Sequence, residues 1–250
     1  MSELLDRCDP ENLAILLDVD GTLLDIAAKP GDVLVPPALP GTLRAVFDRV
    51  GGALALVSGR PISQTDALFT PLKLPGIGGH GAEMRMKFNG EVMGPRPPLE
   101  LALVQRLKEI AAQHPGVLVE DKGYSIAIHY RLAPKHGIAL THEIRHAFEA
   151  WANPSFELLV GKAVLEVKSA SFDKGTAVRE LMAHPPFAGR IPIFVGDDRT
   201  DEDAFKVLSD FHGHGVSVGR QLPWVEGYFK SPAEVRRWLS RLSVTAAVES

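Results

Sequence analysis

Three short apolar runs constrain this chain most: residues 13–17 (LAILL), 53–57 (ALALV) and 191–195 (IPIFV), each cut off at once by Asp, Ser or Gly. Runs of that length bounded by turn residues read as buried strands. Between the first two, Leu39, Leu43, Val46, Phe47 and Val50 recur at helical spacing, and ahead of the third Ala177, Val178, Leu181 and Met182 do the same. Strands alternating with helices argue for βαβ units on a parallel sheet, an α/β fold. A weaker strand at 215–219 (GVSVG) and a helix from about Pro232 extend the pattern.

The middle of the chain follows a different rhythm. A proline-rich break, GPRPPLE at 94–100, precedes a helix carrying Val104, Leu107, Ile110 and Ala111 on one side. Residues 116–121 (GVLVED) and 124–131 (YSIAIHYR) read as a hairpin, a helix follows from about Pro134 to Trp151, and 156–160 (FELLV) with 163–168 (AVLEVK) read as a second hairpin. This α-β-β-α-β-β stretch is an insert. By period-two alternation Ser125, His129 and Arg131 share one face, and Lys162, Glu166 and Lys168 share another, which predicts one sheet face left open and polar. The expected division is 1–95 with 171–250 as one domain and 96–170 as a second, with GPRPP as hinge and Ser169 to Phe172 as the return linker.

Composition excludes several classes of function. With 45% apolar residues in 250, the chain can bury a large core. Its 27 basic and 31 acidic residues leave a net charge of −4 with no basic run, which speaks against nucleic acid. Cys8 is the one cysteine, so no intrachain disulfide can form. No apolar stretch approaches the ~18 residues of a membrane span. The expectation is a soluble cytoplasmic protein, with no membrane contact and no obligate protein partner.

Chemistry concentrates where the strands stop. In ILLDVDGTLLD, Asp18 and Asp20 follow the first strand two residues apart and can converge beyond the carboxyl edge of the sheet, where open parallel sheets bind ligands. They could be turn acids, or open a calcium loop. The calcium loop fails because Thr22 and Lys29 stand where the pattern needs Asn or Asp and then Glu. In LVSGR, Ser58 ends the second strand beside Gly59, which could equally be a turn or cap. In SFDKGTAV, Lys174 opens a helix, where a cation opposes the helix dipole and is best explained by an anion nearby.

FVGDDRTDEDAF adds Asp197, Asp198 and Asp201 after the third strand. Thr200 followed by Asp203 resembles a helix-capping pair, but capping leaves the adjacent acids 197 and 198 unexplained. Clustered like charges are strained unless a cation sits among them. Oxygen ligands with no His or Cys nearby in sequence point to Mg²⁺. Together these stretches supply a carboxylate nucleophile, a carboxylate for proton transfer, a hydroxyl and an ammonium for phosphoryl oxygens, and a metal site.

DVDGTL, the Ser of VSGR, Lys174 and GDDRTDED resemble, in order, the four motifs of the haloacid dehalogenase superfamily. With GGHGAEMR (78–85), VEDKGYSIAIHYR (119–131) and GKAVLEVK (161–168), the chain is similar to the trehalose-6-phosphate phosphatases within it. The resemblance implies a Rossmann-like core with an inserted smaller α/β cap that closes over the substrate.

It further implies that Asp18 attacks phosphorus and that Asp20 protonates the leaving oxygen, then activates water. Asp18, the main-chain carbonyl of Asp20, and Asp197 would hold Mg²⁺. Ser58 and Lys174, assisted by Thr22, would neutralise the phosphoryl oxygens, and Asp198 and Asp201 would orient the metal loop. Gly21, Gly59 and Arg60 fall in the substrate-binding set of these motifs. In the cap, Glu120, Lys122 and Glu166 match sugar-contacting positions, with Glu83, His129 and Lys162 as further candidates. The expected substrate is a small sugar phosphate, trehalose 6-phosphate first. Sucrose phosphate, a glycosyl-phosphoglycerate, a hexose phosphate, a phospho-receiver module and a non-catalytic carbohydrate-binding relic remain alternatives. Asp20 argues against a receiver, since it would speed hydrolysis of the phosphorylated acid.

Overall fold

The computed structural model describes residues 9–27, 32–94, 98–161 and 163–244. Cys8, Lys29, Lys162 and residues 95–97 of the proline-rich break lie outside them. The described residues fall into two units: 9–27, 33–94 and 173–244 in one, and Asp32 with 98–172 save 162 in the other.

The first unit starts with β1 (Leu13–Leu17), buried at every position. Chain reversal uses α1 (Leu39–Arg49), which buries Leu39, Leu43 and Val46, and returns as β2 (Leu54–Val57), again wholly buried. Then come α2 (Ile62–Leu68), β3 (Gly76–Gly78) and β4 (Glu83–Arg85). These last strands have three residues each, too short to show a period, and GIG reads as a turn until β2 pairs with it through Leu56↔Gly76 and Val57↔Ile77.

The insert contributes α3 (Leu101–Ala112), β5 (Leu118–Asp121), β6 (Ser125–His129), α4 (Gly137–Trp151), β7 (Phe156–Gly161) and β8 (Val164–Ser169). Both hairpins form, and β6 pairs with β8 to give one antiparallel sheet ordered β5-β6-β8-β7. Ile126, Ile128, Leu165 and Val167 form a core with Leu103, Leu107 and Ile110 of α3 and Leu140 and Ile144 of α4. The alternate residues make the opposite face polar, but it is only partly open: His129 and Arg131 are half-buried, and Ser125, Glu166 and Lys168 are buried. Ser125 is 1% exposed, Glu166 7% and Lys168 2%. Lys168 turns back to the carbonyls of Ser169 and Phe172 and to the Glu157 carboxylate, so its charge is paired rather than solvated.

The first unit resumes with α5 (Lys174–Met182), β9 (Ile191–Gly196), α6 (Glu202–Val207), β10 (His214–Val218), β11 (Gly227–Phe229) and α7 (Pro232–Ser243). Its sheet runs β11-β10-β9-β1-β2-β3-β4, parallel except where β4 pairs antiparallel with β3. From β1 the chain winds outward through β2 and β3, then returns to the other side of β1 through β9 and β10. That reversal opens a crevice at the carboxyl end of β1, the place where open α/β sheets bind ligands. Among the described residues no helix is long and apolar enough to cross a membrane.

Candidate active site

Register brings three strand ends to one edge. Leu17 lies opposite both Leu56 of β2 and Val195 of β9. The residues that follow therefore emerge side by side: Asp18 after β1, Ser58 after β2, and Asp197 at the end of β9. Main-chain bonds extend the pairing by one step, Asp18 N donating to Val195 O at 2.9 Å and Ser58 N to Ile77 O at 2.9 Å. Gly21 then turns the chain with φ +88, and a Cβ there would stand 2.5 Å from the Asp197 Cγ. Only glycine lets the β1 loop approach the β9 carboxylate this closely.

Lys174 ties the acids together. Its Nζ donates to Asp18 Oδ1 at 2.8 Å and to Asp201 Oδ1 at 2.6 Å. The lysine side chain is 2% exposed, that of Asp18 7% and that of Asp201 0%. The cation at a helix start has its local compensation in Asp173, whose side chain caps α5 through Thr176 N. Burial pushes the Asp18 carboxyl well above the ordinary carboxylate range; Lys174 pulls it back, and Asp201, Asp197 and Asp198 push it further. Asp201 is raised for the same first reason. Burial opposes the Lys174 charge, but Asp18, Asp201 and Asp198 outweigh it and hold the ammonium well above its usual value.

One oxygen from each of Asp18, Asp197 and Asp201 lies within 4.8 Å of the others. A single buried ammonium amid this many carboxylates leaves an excess of negative charge, and an all-oxygen donor set fits a hard divalent cation such as Mg²⁺. Asp201 has both oxygens engaged, Oδ1 with Lys174 and Oδ2 with the N–H groups of Asp197 and Asp198 at 2.9 and 3.0 Å. It therefore shapes the loop. Asp18 and Asp197 are the members of the group that could turn a carboxylate oxygen to a cation.

The helix cap is not the Thr200–Asp203 pair. Asp198 is the cap, accepting from Thr200 N at 2.8 Å and Thr200 Oγ1 at 2.7 Å, while Asp201 reaches back to Asp198 N. Asp203 instead meets Lys206 at 2.9 Å. The reason is that a 3-10 turn over Arg199–Asp201 starts the helix two residues before Thr200 could cap it. Burial works against the Asp198 charge, yet Lys174, the Thr200 bonds and His80 hold its carboxyl below the usual range.

The two acids of the first loop separate. Asp20 is not in the buried cluster: Arg60 grips it bidentately, Nε to Oδ2 at 2.6 Å and Nη2 to Oδ1 at 2.7 Å. Arg60 thus meets a protein carboxylate rather than standing alone for substrate. Thr22 is fully buried, and its hydroxyl has no hydrogen-bond partner among the described residues. Leaving a hydroxyl so costs about 1–3 kcal/mol, which a ligand oxygen would relieve. Ser58 accepts from Arg60 N at 3.1 Å. Glu83 accepts from Ile62 N at 2.7 Å, at the start of α2; this carboxylate serves a helix terminus.

In the insert, Lys122 Nζ and Ser125 Oγ both donate to Glu166 Oε1, at 3.1 and 2.7 Å. His129 Nε2 lies 3.3 Å from Glu120 Oε2. Lys122, Ser125 and Glu166 form one polar group and Glu120 with His129 another, in the same unit; Lys162 lies outside the described residues. Sequence reasoning passed over three groups. Ser125 was read only as a polar face. Arg220, whose Nε lies 3.3 Å from Asp197 O, carries no local signal. His80 stands between two glycines in GGHGAEMR, a spacing that marks an unusual backbone, and comes to the site from a stretch far from the metal loop.

A family model described as trehalose-phosphatase matches residues 16–225. A probable trehalose-phosphate phosphatase of Sinorhizobium fredii is 41% identical over 229 residues, 90% of this chain and 84% of that protein. The trehalose-6-phosphate phosphatase of Escherichia coli is 36% identical, covering 92% of this chain and 86% of that one. The solved C-terminal domain of the Candida albicans trehalose-6-phosphate phosphatase superposes with a TM-score of 0.82 at 21% identity, over 93% of this chain and 92% of that domain. The chain belongs to the trehalose-phosphatase family, a family of phosphoric monoester hydrolases.

Proposed function

We propose that this chain hydrolyses trehalose 6-phosphate to trehalose and phosphate, through an acyl phosphate on Asp18 and with Mg²⁺ as cofactor. Asp18 and Asp197, with the main-chain carbonyl of Asp20, would hold the ion. When bound, Mg²⁺ supplies the positive charge that lets Asp18 stay ionised and phosphoryl oxygens gather beside it. The Asp18 carboxylate attacks phosphorus as the P–O bond to the sugar breaks, and Asp20, having taken a proton from solvent in place of one Arg60 bond, gives it to the departing 6-oxygen. Asp20 then takes a proton from water as that water attacks the acyl phosphate, which returns Asp18 and releases phosphate. Lys174, Ser58 and Thr22 stabilise the phosphoryl oxygens, with Gly59 leaving the Ser58 turn uncrowded.

The observation that carries this reading is the Lys174 ammonium 2.8 Å from a buried Asp18. An attacking carboxylate needs its charge kept away from water, and the buried lysine offsets part of what burial costs that charge. The insert, taken as residues 96–170, would read the sugar. Glu120, Lys122 and Glu166 supply fixed charges suited to a disaccharide rich in hydroxyls and poor in apolar area. The test is phosphate release from a panel of sugar phosphates with and without Mg²⁺. Trehalose 6-phosphate should be turned over fastest and only with the ion; equal or faster turnover of sucrose phosphate or hexose phosphates would overturn the substrate.

A further inference from the structure

The turn Ser58-Gly59-Arg60 carries two groups of the proposed chemistry, the Ser58 hydroxyl and the guanidinium on Asp20, and His80 is seated against it. His80 N donates to Ser58 O at 3.1 Å and Gly79 N to Arg60 O at 2.9 Å, so the two loops share main-chain bonds. The imidazole covers Gly59: a Cβ at that position would lie 2.5 Å from the ring Cε1 and closer still to Nε2. Gly59 has no left-handed φ, so what a side chain there would meet is the ring and not a strained backbone. To deliver the ring, His80 itself takes φ 56 and ψ 26. A non-glycine residue in that region costs roughly 1–2 kcal/mol and persists only where the surroundings enforce it, typically beside a functional site.

We propose that His80 is a positioning residue for phosphoryl transfer: its ring, packed on Gly59, holds the Ser58–Arg60 turn so that Ser58 and the Arg60-bound Asp20 keep their places. The inference rests on the phosphatase reading above. It explains why the second motif has glycine after its serine, and it gives the histidine of GGHGAEMR a task. Because His80 acts on the phosphate side, its loss lowers kcat and leaves the sugar affinity alone.

The test is a double-variant cycle on the full chain with Mg²⁺: Gly59→Ala, His80→Asn and both together, with His80→Gly as a second removal of the ring. Asn and Gly accept a left-handed φ, so the ring is removed without new backbone strain. Each His80 variant should lose about 10- to 100-fold in kcat, the effect of a small misplacement of reacting groups. KM for trehalose 6-phosphate should stay within about threefold, since the lost interaction is not one of ground-state binding. Gly59→Ala should be at least as damaged and should melt at a lower temperature. In the double variant the added methyl has room, so kcat and melting temperature should match His80→Asn alone. Losses that multiply, a melting temperature of the double variant below that of His80→Asn, or a His80→Asn kcat within twofold of the unaltered chain would each overturn the proposal. p-Nitrophenyl phosphate is assayed in parallel. If the unaltered chain cleaves this ester but not trehalose 6-phosphate, the substrate reading fails alone, and the cycle is read on the aryl ester. If it cleaves neither, the phosphatase reading fails, while the melting temperatures still decide the contact.

Discussion

Lys174 and Asp18 stand 156 positions apart in sequence and 2.8 Å apart in space, and each lowers the cost of burying the other's charge. The strand end that buries Asp18 removes it from water, and the helix start that carries Lys174 opposes a positive charge. Each cost is offset by the pair, with Asp201 as a second anion on the same ammonium at 2.6 Å.

Lys174→Met leaves two carboxylates buried and unpaired. Removing one partner of a buried ion pair costs about 3–5 kcal/mol, and losing a cation aimed at developing charge lowers turnover by about 10²–10³-fold. Urea unfolding and phosphate-release kinetics on the same preparation measure both. A variant of unchanged stability would show that Asp18 and Asp201 are not charged in the folded protein.

Asp18→Asn should abolish turnover yet stabilise the metal-free chain. The folded carboxyl of Asp18 is raised above its ordinary value, first by burial, so at neutral pH its ionisation opposes folding, and that penalty fades as pH falls through the raised value. The amide removes the charge and keeps an oxygen for Lys174. In chelator at pH 7 the variant should melt a few degrees higher, at about 2–4 °C per kcal/mol for a chain of this size. Added Mg²⁺ should raise the melting temperature of the unaltered chain and leave the variant nearly unmoved, because a ligand stabilises only the state that binds it.

Asp198 behaves with the opposite sign. Its folded carboxyl lies below its ordinary value despite burial, through Lys174, the Thr200 bonds and His80. Such a group adds stability above its unfolded pKa and loses it as pH falls through the lower folded one. Asp198→Ala also deletes a helix cap, so it should cost about 1 kcal/mol at pH 7. The difference from the unaltered chain should shrink as pH falls below the ordinary carboxylate range and through the lower folded value, where the unaltered chain loses its carboxylate too. Thermal unfolding across that range checks the sign.

Glu166→Ala should separate sugar recognition from phosphoryl chemistry. Glu166 accepts from Lys122 and Ser125 in the insert, and none of these belongs to the acid cluster of β1 and β9. Trehalose 6-phosphate turnover should fall by about 10²-fold or more, as when charge-assisted bonds of 1.5–3 kcal/mol each are lost. A small aryl phosphoester should lose little. Ser125→Ala should move both in the same direction by less. Matching losses on the two substrates would show that the insert does not read the sugar.

The sequence by itself determined the buried parallel strands, because four or five unbroken apolar residues admit few other placements, and it located Asp18, Asp20, Ser58 and Asp197 just past their ends and Lys174 at a helix start. Period two in the insert separated Ile126 and Ile128 from Ser125 and His129, and hence core from polar face. Tertiary structure alone decided which charges meet. β3, β4 and β11 are three residues each, below the length at which a period shows, and only pairing makes them strands. Asp198, not Thr200, became the cap because a 3-10 turn shifted the helix start. Lys168 was read as wet and is buried, since carbonyls at the end of its own strand capture it. Arg60 closed on Asp20, and His80 came down on Gly59, across gaps of 40 and 21 positions. Hydrophobic periodicity is local and survives in the sequence; charge pairing depends on distances of a few ångströms between remote segments, which only the packed chain sets.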